Sequence, residues 1–474
     1  MNLIILLTLI SPIVIGYLII HLLFSRHGKG NRWLRHLWML FLAPAVGFAL
    51  VSLLYYIWSV IFSPAHAMGV LVSIEVLLIL ILFAVNLVNT RSQTPQEIVS
   101  LPRPAHNKVL VTAAILLLIL LLANYFDDWL RESLATPYGD WDAWAIWNLR
   151  ASFISSGDKW LTGFSEVISW SHPDYPLLLP LNISRIWVLI AQRSVLVPIL
   201  VSLIFQISLL GLLITSIQLQ RGYLQGILAG LIGVLVISTS LSFKLYADIP
   251  IAYYFLGVNT LVFLDESNPK ASYSLAVVTG LLVGAAVWTK NEGWVFLGAT
   301  VITKIIIDLT SRKFSPSRNW WGYFLIGLAP LLLATIHFKF VYAPPSDLVE
   351  NLSFGSITAA FLSADRYLMI FRFVKDQILE YGNLIFPLIP LLLIYGIIMG
   401  ISIPRNQKTA VMSLALRITL LTGIYFLVYL FTPKDLVWHL STSMERLVTQ
   451  IFPSFILLIF LVVSPPNREQ GVQI

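Results

Sequence analysis

Thirteen times along this chain an apolar run comes close to the length, about 20 residues, that a helix needs to cross about 30 Å of hydrocarbon. The runs lie near 2–23, 38–61, 67–89, 108–126, 195–217, 224–243, 249–264, 272–288, 293–308, 320–341, 383–402, 411–431 and 447–464. In lipid every backbone N–H and C=O must find a partner within the protein, so a spanning segment is either a helix or a strand of a closed barrel. These runs are continuous and do not alternate in hydrophobicity residue by residue, which excludes the barrel. The expected fold is an all-α polytopic membrane protein of about 13 transmembrane helices, with external helices lying beside the membrane. Composition agrees: 58% of residues are hydrophobic and 11% charged, against about a quarter charged in soluble domains.

The chain has no cysteine and a net charge of +7. Absence of cysteine avoids stray disulfides outside the cytosol but does not fix the compartment. The positive charge is spread over short loops, which suits contact with anionic lipid and gives no reason to expect nucleic acid. "MNLIILLTLISPIVIGYLII" has no positive n-region and no small-residue cleavage site, so it reads as a retained first span.

Lys and Arg in short loops set orientation. "SRHGKGNRWLR" (25–35) and "SRKFSPSR" (311–318) are the clearest basic loops. Both are cytoplasmic only if the chain crosses an odd number of times between 126 and 217. The segment 175–193, "YPLLLPLNISRIWVLIAQR", is short, opens with prolines and carries Arg185 in its middle. It therefore reads as a helix resting on the outer membrane surface, and "RNQK" (405–408) and Arg468 then also fall inside. Two sizeable stretches, 127–194 and 342–382, lie outside. The second half of the latter mixes Tyr367, Phe371 and Phe373 with Arg366, Arg372 and Lys375, a pattern that suits an interfacial helix. Few charges fall within the runs. Arg417 is one, near the cytoplasmic end, where its long stem can snorkel.

The polar residues that need explaining gather at the outer ends of the spans. In "PYGDWDAWAIWNLRA" (137–151) Pro137 and Gly139 precede a helix start, with Asp140 placed as N-cap and Asp142 in the first turn. The spacing of Trp141, Trp144 and Trp147 puts them on one side of that helix. Either both acids serve the helix dipole, or Asp142 faces a cavity. In "SHPDYP" (171–176) His172 and Tyr175 each precede a proline, which favours extended geometry. Extended, His172 and Asp174 would converge as a metal chelate or a carboxylate-oriented imidazole; alternatively the segment is a rigid turn and Asp174 caps the next helix. "KLYADIP" offers Lys244, Tyr246 and Asp248; "WTKNEGW" offers Lys290, Asn291 and Glu292; "HLSTSMERL" offers His439, Glu445 and Arg446. In the last, Thr442 and Glu445 have capping-box spacing, which makes Glu445 structural and leaves Arg446 over. One topology places all of these on the same face as Asp142. An outer cavity of carboxylates and cations suits a lipid-anchored phosphate, with cations on the phosphate and a carboxylate taking a proton from an attacking hydroxyl.

On these motifs the chain resembles the GT-C superfamily of integral-membrane glycosyltransferases, near the protein O-mannosyltransferase and aminoarabinose transferase branch. The likeness lies in an acidic motif opening the first large external loop after a span, the His/Pro-rich "HPDYPLLLP" before a juxtamembrane helix, the acid-before-proline of "YADIP" and the "TKNEG" turn, with "STSMERLVTQIFP" as a late echo. The resemblance implies an N-terminal transmembrane extension at 1–107 and a GT-C-like catalytic module at 108–310 with external loop 127–194. A C-terminal transmembrane region follows at 311–474 with external loop 342–382. It further implies a multi-pass protein of the cell membrane that moves a sugar from a polyprenyl-phosphate donor to a lipid or glycan acceptor at the extracytoplasmic face, with inversion. Carried over by position, Asp142 is the preferred base and Asp140 the second. His172, Asp174, Tyr175, Tyr246, Asp248, Asn291 and Glu292 shape the sugar site, or a divalent-metal site with His172 and Asp174 as ligands. Lys244, Lys290 and Arg446 hold the donor phosphate. The chain differs from the superfamily in the tryptophan that separates Asp140 from Asp142, where the acidic pair is adjacent, and in having no large soluble C-terminal domain. Two further readings stand beside this one: a lipid-linked-sugar flippase, which needs polar groups along the spans, and an O-antigen polymerase or ligase.

Overall fold

A computed structural model describes residues 2–24, 31–91, 108–238, 240–267, 273–310, 314–345, 354–382 and 387–465. The basic residues 25–30, 311–313 and Arg468 used for orientation lie outside them. The apolar runs wind into helices, and polar or glycine residues stop them. Asn31 accepts the Trp33 N–H at the start of the second helix, Asp435 accepts the Trp438 N–H at the start of the last, and Gly222 and Gly400 end two others at φ of +91° and +70°.

In chain order the helices are α1 (Asn2–Phe24), α2 (Arg32–Phe62), α3 (Met68–Arg91), α4 (Lys108–Ala135), α5 (Asn148–Ile154) and α6 (Leu178–Ile190). Then come α7 (Leu196–Arg221), α8 (Tyr223–Ile237), the single turn α9 (Ser240–Phe243), α10 (Asp248–Ser267), α11 (Tyr273–Thr289) and α12 (Glu292–Thr310). Last are α13 (Phe314–Val341), α14 (Phe354–Leu362), α15 (Ala364–Glu380), α16 (Leu388–Met399), α17 (Lys408–Phe431) and α18 (Leu436–Val462). Among the described residues nine helices are long and apolar enough to cross a membrane, and α6, α8, α11 and α16 are shorter apolar helices. The chain is a multi-pass, all-helical membrane protein.

Helix α10 is the axis. It is buried from Asp248 to Phe263 and packs against α2, α7, α11, α17 and α18. Helix α11 lies close against α13 because both present glycine at the crossing. A Cβ on Gly280 would stand 2.0 Å from the Phe324 carbonyl, and one on Gly327 1.9 Å from that of Val277, so only glycine permits this approach. The chain's reversals bring the start of α10, the end of α11, the start of α12 and the end of α13 together with the middle of α18, around Arg446 and Gln450.

Three expectations change here. The 175–193 segment does form a helix too short to cross, but α6 is walled in by α1, α2, α5, α7 and α11 and does not rest on a surface. What draws it in is Arg185, whose Nη1 reaches both Glu75 oxygens at 2.8 Å and whose Nη2 donates to the Thr8 carbonyl at 2.6 Å. A charge buried this completely needs such a partner. Arg417 likewise does not snorkel: it is buried, with Nη1 on Asn259 Oδ1 at 2.6 Å and Nη2 on Ser413 Oγ at 3.2 Å. Finally, the capping box read from "HLSTSMERL" does not form. The segment lies within α18, where the Thr442 hydroxyl donates to the Trp438 carbonyl and Asp435 does the capping. The basic, aromatic segment expected to lie at an interface forms helix α15. Leu368, Phe371 and Leu379 are exposed on it, and Arg366 donates to the Tyr429 and Thr432 carbonyls at 3.1 Å each.

Candidate functional site

Where these helices meet, the site is built around Asp248, the first residue of α10. Pro250 fits in the first helical turn, where no intrahelical N–H is lost. The Asp248 side chain is 1% exposed and fully engaged. Oδ1 accepts Lys290 Nζ at 2.9 Å and Gln450 Nε2 at 2.6 Å, and Oδ2 accepts Arg446 Nε at 3.1 Å. Lys290, in the break between α11 and α12, is 3% exposed and also meets Glu292 Oε1 at 2.6 Å. Burial alone disfavours its ammonium, but Asp248 and Glu292 outweigh that and raise its pKa above the ordinary lysine value. Arg446 reaches Asp142 Oδ2 with Nη2 at 2.6 Å and lies over the Tyr246 ring at 4.9 Å. Gln450, one turn further along α18, also donates to Glu292 Oε1 at 3.3 Å and accepts the Tyr425 hydroxyl at 2.8 Å. Three carboxylates from three separate stretches thus share two cations and an amide.

Gly139 lets the loop before Asp142 dock here. Its φ is +73°, a Cβ on it would stand 2.6 Å from the Lys244 carbonyl, and the next residue donates its N–H to that carbonyl at 3.2 Å. On the other side of the junction Leu245 takes φ +60°, a strained conformation for a branched residue. Asp140 makes no N-cap bond: its Oδ1 accepts the N–H of the adjacent Trp141 at 2.7 Å, and it pairs with Lys244 at 3.2 Å on the exposed rim. Partial burial would raise its pKa, but the Trp141 amide and Lys244 hold it below the usual carboxylate value. The three tryptophans do not share a side. Residues Ala143–Trp147 wind as a π turn, which takes more than four residues per turn and carries Trp147 round to the interior. Trp147 is buried and stacks on Tyr175 at 5.6 Å, while Trp141 and Trp144 stay exposed, 4.7 Å apart.

The "SHPDYP" segment is a turn, not extended. His172 has φ +48°, and its carbonyl accepts the Tyr175 N–H at 3.1 Å. The His172 ring stacks on Tyr175 at 5.1 Å, whereas Asp174 Oδ2 accepts Asn291 Nδ2 at 2.9 Å and Lys339 Nζ at 3.1 Å. His172 and Asp174 therefore offer no chelate, and Asp174 does not cap α6, whose N-cap is Leu177. Among the described residues no group of three or more His, Asp or Glu is gathered for a metal. Burial and the charges of Glu292 and Asp174 push the Tyr175 phenol well up, so it remains a hydrogen-bond donor at neutral pH. Tyr246 is raised the same way, by burial and then by Asp142 and Asp140.

The structure therefore gathers Asp142, Tyr175, Tyr246, Asp248, Lys290, Glu292 and Arg446 around one centre. Asp174 and Asn291 stand beside it, Asp140 and Lys244 stand on the rim, and His172 lies behind Tyr175. The three cations expected to hold a phosphate are each paired with a carboxylate, Lys290 and Arg446 largely enclosed and Lys244 on the exposed rim. Sequence reasoning also missed Lys339, Gln450, Tyr425 and Arg150. Gln450 had a signal, four residues after Arg446 and so on the same helix face. Lys339 had a weaker one, a lone cation closing the apolar run "IHFKFVY". Compared with known protein families, curated proteins and solved structures, the chain matches none.

Proposed function

We propose that this protein is a GT-C-type glycosyltransferase of about 13 transmembrane spans. It would act at the extracytoplasmic face of the cell membrane and move a sugar from a polyprenyl-phosphate donor to a lipid or glycan hydroxyl. The observation that carries this reading is the meeting of Asp142, Asp248 and Glu292 with Arg446 and Lys290 at one end of the bundle. In the proposed reaction the acceptor oxygen attacks the anomeric carbon from the face opposite the lipid phosphate. A carbon–oxygen bond forms, the sugar–phosphate bond breaks, and the phosphate leaves with the bonding electrons. Asp142 takes the acceptor's proton as general base. Its Oδ2 is held by Arg446, which leaves Oδ1 for the proton. Asp248 orients Arg446 and Lys290, the neutral Tyr175 phenol donates to the sugar, and Asp140 shapes the rim. Asp142→Asn keeps size and shape but cannot take a proton. It should abolish transfer from a radiolabelled lipid-linked sugar while the protein still inserts and elutes as the wild type does; wild-type turnover in that variant would remove Asp142 from the role.

The second reading, a lipid-linked-sugar flippase, is favoured by a different observation. Polar residues run along facing sides of α10, α17 and α18: Asp248 and Asn259, then Ser413, Arg417 and Tyr425, then Arg446, Gln450 and Ser454. Asn259 Nδ2 donates to Ser454 Oγ at 2.8 Å, which ties α10 to α18 beside Arg417. This stripe gives polar groups within the membrane, as transport requires.

A further inference from the structure

The carboxylates and cations at the site are divided unevenly. Among the described residues, Asp142, Asp248 and Glu292 pair with the two cations Arg446 and Lys290 and keep a residual negative charge. Next to them Asp174 stands alone between two cations. Lys339 binds it directly at 3.1 Å, and the buried Arg150 guanidinium lies close enough to be coupled to it. Burial pulls Arg150 down to about 10, with Asp174 pushing back, so it is still charged at neutral pH. Arg150 Nη2 is spent on the Ser171 carbonyl and hydroxyl at 3.0 and 3.2 Å, while Nη1, also buried, has no hydrogen-bond partner among the described residues. Among the described residues this side of the site therefore carries one positive charge in excess.

We infer that Lys339, backed by Arg150, is the docking point for the anionic phosphate of a membrane-borne lipid substrate. Lys339 is 23% exposed where Lys290 is 3% exposed, so an incoming anion can reach it. It also stands in the last turn of α13, where Phe340 is 87% exposed and Val341 is exposed too. These exposed apolar side chains beside the cation give a lipid tail a surface to lie along. Lys339 Nζ also donates to Asn291 Oδ1 at 2.9 Å. Asn291 is the neighbour of Glu292, so a phosphate held here lies one residue from the acidic centre. The excess positive charge suits the phosphate of a lipid, while the centre beyond repels a second anion and is left for hydroxyls. The inference rests on the lipid-phosphate reading of the site but not on transfer.

The test is binding of a long-chain polyprenyl phosphate to the purified full-length protein in detergent, followed by native mass spectrometry and tryptophan fluorescence. Inorganic phosphate and the uncharged polyprenol serve as parallel ligands. Lys339→Met should weaken binding about tenfold or more, the worth of one charge-assisted hydrogen bond. Lys339→Arg should hold it within a few-fold, and Arg446→Ala should change it less than Lys339→Met does. Asp174→Asn should tighten binding, since it lifts the neutralising charge from Lys339. Tight binding retained in Lys339→Met, or weakened binding in Asp174→Asn, would overturn the inference. If Arg446→Ala alone abolishes binding, the site is at Arg446, and this inference fails while the proposed function stands. If the wild type binds no polyprenyl phosphate, both fail. Saturation by inorganic phosphate at the same concentrations would make the ligand a free anion and overturn the lipid source.

Discussion

Asp248 shows how much one side chain can decide when it is taken out of water. A buried carboxylate without partners would neutralise itself, but here three donors hold its charge. The same pairing makes Lys290 indispensable. Replacing it by methionine keeps the stem and removes the cation, leaving Asp248 and Glu292 to share what remains. Breaking a buried pair from one side costs about 3–5 kcal/mol, so Lys290→Met should lower unfolding stability in detergent by that order. Asp248→Asn added to it should recover part of the loss, because the two are directly coupled; simple additivity of the two substitutions would show that they are not. At this scale the sequence was informative. Asp142, Asp248, Glu292 and Arg446 could be picked out because each interrupts or flanks an apolar run. Lys339 could not, since nothing within "IHFKFVY" distinguishes a lysine that snorkels from one that meets an aspartate 165 positions away.

Among the elements, α6 carries the clearest lesson. Its length ruled out a crossing, as the sequence predicted, since a helix of 13 residues at 1.5 Å each spans only about 20 Å. Its surroundings were not legible. A polar residue in the middle of an apolar helix points to water or to a buried partner with equal force, and the partner, Glu75, lies on α3. Both side chains are almost wholly buried, so this pair pins α6 between α1 and α3. Replacing only Glu75 with leucine should cost about 3–5 kcal/mol, whereas Glu75→Leu with Arg185→Met should return close to wild type, as apolar replacement of a whole buried pair often does. Unfolding midpoints in detergent for the two variants decide it; equal loss in both would mean that the pair is not what holds α6. The π turn at Ala143–Trp147 is a second case. The three-residue spacing of the tryptophans assumed α-helical winding, and the wider turn moved Trp147 under Tyr175 and left the other two outside.

For the whole molecule, the question is whether the polar end is reached from one side of the membrane only. The chain's lack of cysteine makes single-cysteine labelling clean. Tyr138 and Trp438 are exposed at the site end, and Arg405 is exposed at the far end of α17. Tyr138→Cys and Trp438→Cys should react with an impermeant maleimide on intact cells, and Arg405→Cys only after permeabilisation. Cysteines at Asn259 and Ser454, along the polar stripe, should stay unlabelled from the cytoplasmic side; labelling there from both sides in turn would favour the flippase.

What the sequence determined by itself was the division of labour. Lipid forces each spanning backbone to satisfy itself as a helix, so the apolar runs fixed the helices and pushed most polar residues to their ends. What only the tertiary structure decided was the pairing. Which cation meets which carboxylate depends on how far each helix is rotated against its neighbours and how deep its ends lie. Those quantities are set by packing across hundreds of residues, through contacts such as the glycine crossing of α11 and α13. That is why the acids could be named in advance, while Lys339, the partly exposed partner of Asp174, emerged only from the fold.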